Sequence, residues 1–146
     1  MLLGDLERLK DFQIRTGSVF RMTFYPQDRV TPKGQGAQSR IKYFVIVGID
    51  ANGDYIGASL INTNVNINFA AKIAPYQLCI YPDKYEFLDS KYRYVDGYAI
   101  KQIKKERIQN EAGYIGILED DDIEKVHELL RKSPAMDTRT LRQFGI

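Results

Sequence analysis

Apolar residues in this chain fall into short runs broken by turn residues, and helical spacing is confined to the two ends. Over residues 2–14, Leu2, Leu3, Leu6, Leu9 and Ile14 gather on one side of a helical wheel, with Glu7, Arg8, Lys10 and Asp11 mostly opposite. This predicts a short amphipathic helix. Residues 19–25 then read as a strand stopped by Pro26, and 26–39, with Pro32, Gly34 and Gly36, read as a long exposed loop. Residues 42–49 form a nearly continuous apolar strand. Asn52-Gly53 supplies a tight turn into a second strand over 55–61. Residues 77–81, 92–100 and 111–118 carry further short strand signals. Helical spacing returns after Asp120 or Asp121, where Ile123, Val126, Leu129 and Leu130 recur until Ser133-Pro134. A second short helical segment runs from Asp137 to Phe144-Gly145, with Leu141 as its expected anchor.

The expected fold is therefore mostly β with flanking helices, a small barrel or sandwich. At 146 residues the chain fits one domain, and 44% hydrophobic with 27% charged residues is an ordinary globular composition. A net charge of +2 says little about nucleic acid by itself, but the charge is uneven: 101–107 is basic and 119–122 acidic. No apolar run reaches the ~18 residues that a membrane helix needs. The N-terminal residues lack a signal-peptide layout, so a cytoplasmic location without membrane partners is expected. Cys79, the sole cysteine, reads as a small buried side chain.

Arg40 and Lys42 sit where the glycine-containing loop enters the rigid apolar strand. A hairpin brings Asn62-Thr63-Asn64, after the next apolar run, toward them. Cations beside hydroxyls and amides suit a phosphate ester better than a metal ion or an apolar ligand. The plainer alternative is a solvated basic pair. Asn62, Asn64, Asn66 and Asn68 alternate along the chain, so an extended backbone presents four amides on one side, for a single strand of nucleic acid or simply for solvent. Tyr25, Tyr43, Tyr92 and Tyr98 can stack on unpaired bases or fill a barrel core. Lys101, Lys104, Lys105 and Arg107 can contact phosphates or form a solvated face. His127, the only histidine, reads as an exposed position on the C-terminal helix. No residue set has metal-ligand spacing and no cofactor motif is present, so no cofactor is expected.

The order of these parts is similar to that of the MazF/PemK/Kid-like toxins: Gly17-Ser18-Val19-Phe20 opening a strand, a glycine-containing loop, a basic residue entering a hydrophobic strand, a threonine-bearing turn, Tyr94-Val95-Asp96, a basic stretch, a glycine-containing strand and a terminal helix. The resemblance covers residues 17–131 and leaves 1–16 and 132–146 as helical additions. It implies an SH3-like barrel, a homodimer, an antitoxin protein as partner, and metal-independent cleavage of single-stranded RNA. The family's Arg-Pro dipeptide is missing; Lys42-Tyr43 stands at its register and Arg40 lies two residues earlier. By the same resemblance either cation takes the arginine role, Thr63 matches the turn hydroxyl, and Asp96 matches an acidic residue of some Kid-like members. Asn62, Asn64, Tyr43, Lys101 and Lys104 are the expected RNA contacts. The competing expectation is a non-catalytic barrel of the same fold that binds protein or nucleic acid, which the missing Arg-Pro favours.

Overall fold

A computed structural model describes residues 13–29, 39–63 and 70–146. The helix expected over 2–14 lies almost wholly outside them, as do the centre of loop 26–39 and Asn64, Asn66 and Asn68.

Strands β1 (Ser18–Phe24), β2 (Arg40–Ile49) and β3 (Tyr55–Asn62) follow one another as an antiparallel meander. The β2–β3 turn closes as the Asn-Gly pair dictates: Gly53 adopts a φ of 75°, its N–H donates to the Asp50 carbonyl at 2.9 Å, and Asp50 N–H donates to Tyr55 O at 3.1 Å. Four short strands complete the sheet: β4 (Gln77–Ile80), β5 (Arg93–Asp96), β6 (Lys101–Lys104) and β7 (Gly113–Ile117). The order is β4-β5-β3-β2-β1-β7, and the pairings are antiparallel. One edge of β3 is shared, since β6 pairs with Tyr55–Ala58 and β5 with Ile61 and Asn62. The sheet thus curls into a half-barrel.

β2 is continuously apolar because both of its faces are buried. Phe44 and Ile46 pack inward with Phe20, Met22 and Phe24 of β1, the Phe20 and Phe44 rings stacking at 5.9 Å. Val45 and Val47 face the other way, onto Ile123, Val126 and Leu130. Those three belong to a helix over Asp120–Lys132, which follows a single turn at Ala70–Ile73 (α1) and a helix at Lys105–Glu111 (α2), and is here α3. Its acidic first turn and basic last turn both complement the helix dipole. The basic 101–107 stretch is split between β6 and the start of α2, rather than forming one surface run.

Two anchors hold α3 and the segment after it against the sheet. Tyr85 Oη donates to the buried Asp122 carboxylate at 2.5 Å and accepts Glu119 N–H at 3.0 Å, while Lys84 bridges Glu119, Asp121 and Asp122. At the other anchor the β2–β3 register shifts between Ile46 and Gly48. There the Val47 carbonyl accepts from His127 Nε2 at 2.7 Å, which requires the proton on that nitrogen. His127 is thus half-buried and structural, not the exposed position its sequence context implied. The last helix, α4 (Thr138–Gln143), is capped by Asp137, whose side chain accepts Thr140 N–H at 2.6 Å. It delivers Phe144, the residue that follows it and only 2% exposed, onto Gly48 and Gly57, so Phe144 just past the helix, rather than Leu141 within it, is the anchor of this segment.

Candidate functional site

Antiparallel pairing brings the start of β2, the end of β3, the start of β5 and the second half of β1 to one end of the sheet. A cleft of about 300 Å³ opens there. β2 contributes Arg40, Ile41, Lys42 and Tyr43 to its walls, and β3 contributes Ile61 and Asn62, with Thr63 just beyond. Arg21 of β1 and Arg93 of β5 complete the lining. Four of these nine residues are cations and none is a carboxylate.

The register fixes how the groups face. Arg21 lies directly across from Tyr43, and the Arg93 guanidinium stacks over the Tyr43 ring at 4.6 Å, so these three share one face. Lys42 follows the alternation of Phe44 to the opposite face, where its ammonium donates to Asn62 Oδ1. The cleft therefore draws on both faces where β2 begins and β3 ends. Lys42 is buried at 9% exposure, and the buried Nε of Arg93 has no hydrogen-bond partner among the described residues. Nor is Arg21, Arg40 or Arg93 ion-paired among them. Concentrated positive charge on low-dielectric walls, with a hydroxyl and an amide at the rim, focuses a field that attracts an oxyanion.

Five of the residues singled out from the sequence meet here: Arg40, Lys42, Tyr43, Asn62 and Thr63. Three others lie elsewhere. Asp96 is three residues along β5 from Arg93, and strand alternation turns it to the other face. Its Oδ1 accepts from Gln77 Nε2 at 2.8 Å and from Tyr98 N–H at 2.9 Å, and burial pushes its carboxyl above the ordinary range. Lys101 lines a separate cavity of about 390 Å³ near Arg29 and Arg107; its ammonium donates to Arg29 O at 3.3 Å, and burial lowers its pKa. Lys104 borders a third cavity, of about 530 Å³, with Asp54 and Lys105. Asn64 is outside the described residues.

Arg21 and Arg93 escaped the sequence reading. Each is a cation inside a predicted strand, which was a visible signal, but only the pairing of β1 and β5 around the β2–β3 hairpin brings them to the same cleft. Among the described residues, no three His, Cys, Asp or Glu side chains come together as a metal site. No helix among them is long and apolar enough to cross a membrane. A scan against protein-family models finds no match, and a search of curated proteins finds none either.

Proposed function

We propose that the protein is a MazF/PemK-like toxin that binds single-stranded RNA in this cleft and cleaves it without a metal. On this reading the half-barrel is an SH3-like barrel acting in the cytoplasm as a homodimer, neutralised by an antitoxin protein. One observation carries it: four cations, a hydroxyl and an amide line a cleft whose described walls hold no carboxylate. Arg40 and Arg93 offer forked donors to phosphoryl oxygens, Lys42 adds a point charge held by Asn62, and Thr63 adds a hydroxyl. Such donors stabilise the charge that grows when the ribose 2′-oxygen attacks phosphorus. That attack loses the 2′-hydroxyl proton, breaks the bond to the 5′-oxygen, and leaves a 2′,3′-cyclic phosphate and a protonated 5′-hydroxyl.

The test is to incubate a mixed-sequence single-stranded RNA with the protein in EDTA. Cleavage by the native chain is expected, falling on the order of a hundredfold in Arg40→Ala, the usual effect of removing one transition-state donor. The second reading, the nucleic-acid half of the alternative drawn from the sequence, is an RNA-binding module without catalysis. It is favoured by the position of Asp96, whose carboxylate is engaged by Gln77 and Tyr98 outside the cleft. It predicts RNA binding that is lost in Arg40→Ala with no cleavage by either protein. RNA left both unbound and intact would overturn both readings.

A further inference from the structure

The cleft end of the sheet also carries the most exposed apolar side chains among the described residues. Among the described residues the three most exposed large hydrophobic side chains are Ile41 at 62%, Tyr92 at 57% and Tyr81 at 52%. Ile41 lines the cleft itself. The other two are brought together by register at the same end of the sheet: Ile80 pairs with Arg93, a residue of the cleft wall, so Tyr81 and Tyr92 are the next residues outward, just beyond β4 and β5. Their rings meet edge to face, with centroids 5.4 Å apart and planes at 90°. That contact uses part of each ring and leaves π surface open to solvent.

The pair is held in place from both sides. Tyr81 O accepts the N–H groups of Lys84 at 3.1 Å and Tyr85 at 3.2 Å, and both of those side chains are tied to Asp122 at the start of α3. Tyr92 follows a turn in which Asp89 and Ser90 take φ values of 52° and 66° and Lys91 N–H donates to Leu88 O at 3.1 Å. It precedes Arg93, whose guanidinium is fixed over Tyr43 in the cleft wall. A fixed aromatic surface next to a cationic groove is the combination that single-stranded nucleic acid uses, with stacking for the bases and charge for the backbone.

We propose that Tyr81 and Tyr92 form a stacking platform for an unpaired base of an RNA strand whose phosphate lies in the Arg21/Arg40/Lys42/Arg93 cleft. This rests on the RNA reading of the cleft given above. Because every base has a π face, the platform accepts any base and adds affinity rather than sequence choice.

Fluorescence anisotropy with a labelled oligouridylate, and with an abasic ribose-phosphate strand of the same length, tests it. The variants are Tyr81→Ala/Tyr92→Ala, Tyr92→Leu, which keeps an apolar side chain but no ring, and Tyr92→Phe. The double variant and Tyr92→Leu are expected to bind oligouridylate roughly tenfold more weakly or worse, with abasic-strand affinity unchanged and Tyr92→Phe like the native chain. Native affinity for oligouridylate in the ring-less variants, while Arg40→Ala loses it, overturns the platform and leaves the cleft standing. A change in sedimentation without a change in RNA affinity also overturns it, and identifies the pair as a contact between copies of the chain. If the native protein binds neither strand, platform and cleft reading fail together.

Discussion

Gly48→Ala probes the joint between the C-terminal segment and the sheet. A Cβ at Gly48 would lie 2.2 Å from the Phe144 carbonyl oxygen and 2.7 Å from Phe144 Cβ. The first of these is backbone, so no rotamer change relieves the overlap, and the segment after α4 must lift. Phe144 is 2% exposed. Returning a phenylalanine to water loses about 1.5–3 kcal/mol, and truncating one in a core costs about 3–5 kcal/mol, so about 2–4 kcal/mol is expected for Gly48→Ala. For 146 residues the unfolding entropy is about 0.3 kcal/mol/K, which converts this loss into a fall in Tm of about 7–13 °C. Circular dichroism melts of Gly48→Ala, Phe144→Ala and the double variant measure it. Once Phe144 no longer anchors the segment, the added methyl has little left to displace, so the double variant should melt close to Phe144→Ala alone. A Gly48→Ala protein melting at the native temperature, or two losses that simply add, would refute this account of the joint. RNA binding well below Tm should be retained, since Gly48 is at the far end of β2 from the cleft.

Tyr85→Phe removes the hydroxyl between Asp122 and Glu119 N–H and leaves a buried carboxylate short of a donor; urea denaturation should show a loss of about 1.5–3 kcal/mol, and an unchanged midpoint would contradict it. Arg107 donates to both oxygens of Asp28, at 2.6 and 2.9 Å, and holds its carboxyl below the ordinary range. An acid with a depressed folded pKa adds stability that is complete above its unfolded value, about 3.9, and disappears as pH falls through the folded value. The Tm advantage of the native chain over Asp28→Asn should therefore be present at neutral pH and close in acid; an advantage constant across that range would count against it. Asp96 has the opposite sign, because burial raises its pKa. Its charge lowers stability as pH rises from the unfolded value through the folded one, and Asn keeps both bonds because Oδ1 accepts both. Asp96→Asn should melt at or above the native temperature at neutral pH, with the difference vanishing in acid and RNA binding intact; a large neutral-pH loss would contradict this.

The sequence was most legible where one local rule decides the outcome. The Asn52-Gly53 turn needs only a positive φ, the continuous apolar run of β2 reports burial on both faces, and the 120–132 helix combines periodicity with dipole-matched charge. Legibility failed where an element depends on partners distant in sequence. β6 and α2 divide a basic stretch whose residues read as one solvated face, because only β3 gives Lys101–Lys104 a ladder to join. His127 looked exposed because the carbonyl it meets, Val47 O, is freed by a register shift that no local pattern announces. At the site, Arg40, Lys42 and Thr63 could be grouped in advance because a single hairpin connects them. Arg21 and Arg93 come from strands on either side of that hairpin, so their arrival depends on the whole sheet order.

The cationic cleft is the central claim, and a nitrogen-edited NMR titration with a short single-stranded oligoribonucleotide in EDTA tests it most directly. Saturable shifts at the side-chain Nε–H groups of Arg21, Arg40 and Arg93, and at the backbone of Lys42, Asn62 and Thr63, are the predicted result. Shifts confined to the Asp54, Lys104 and Lys105 cavity, or none at all, would contradict it.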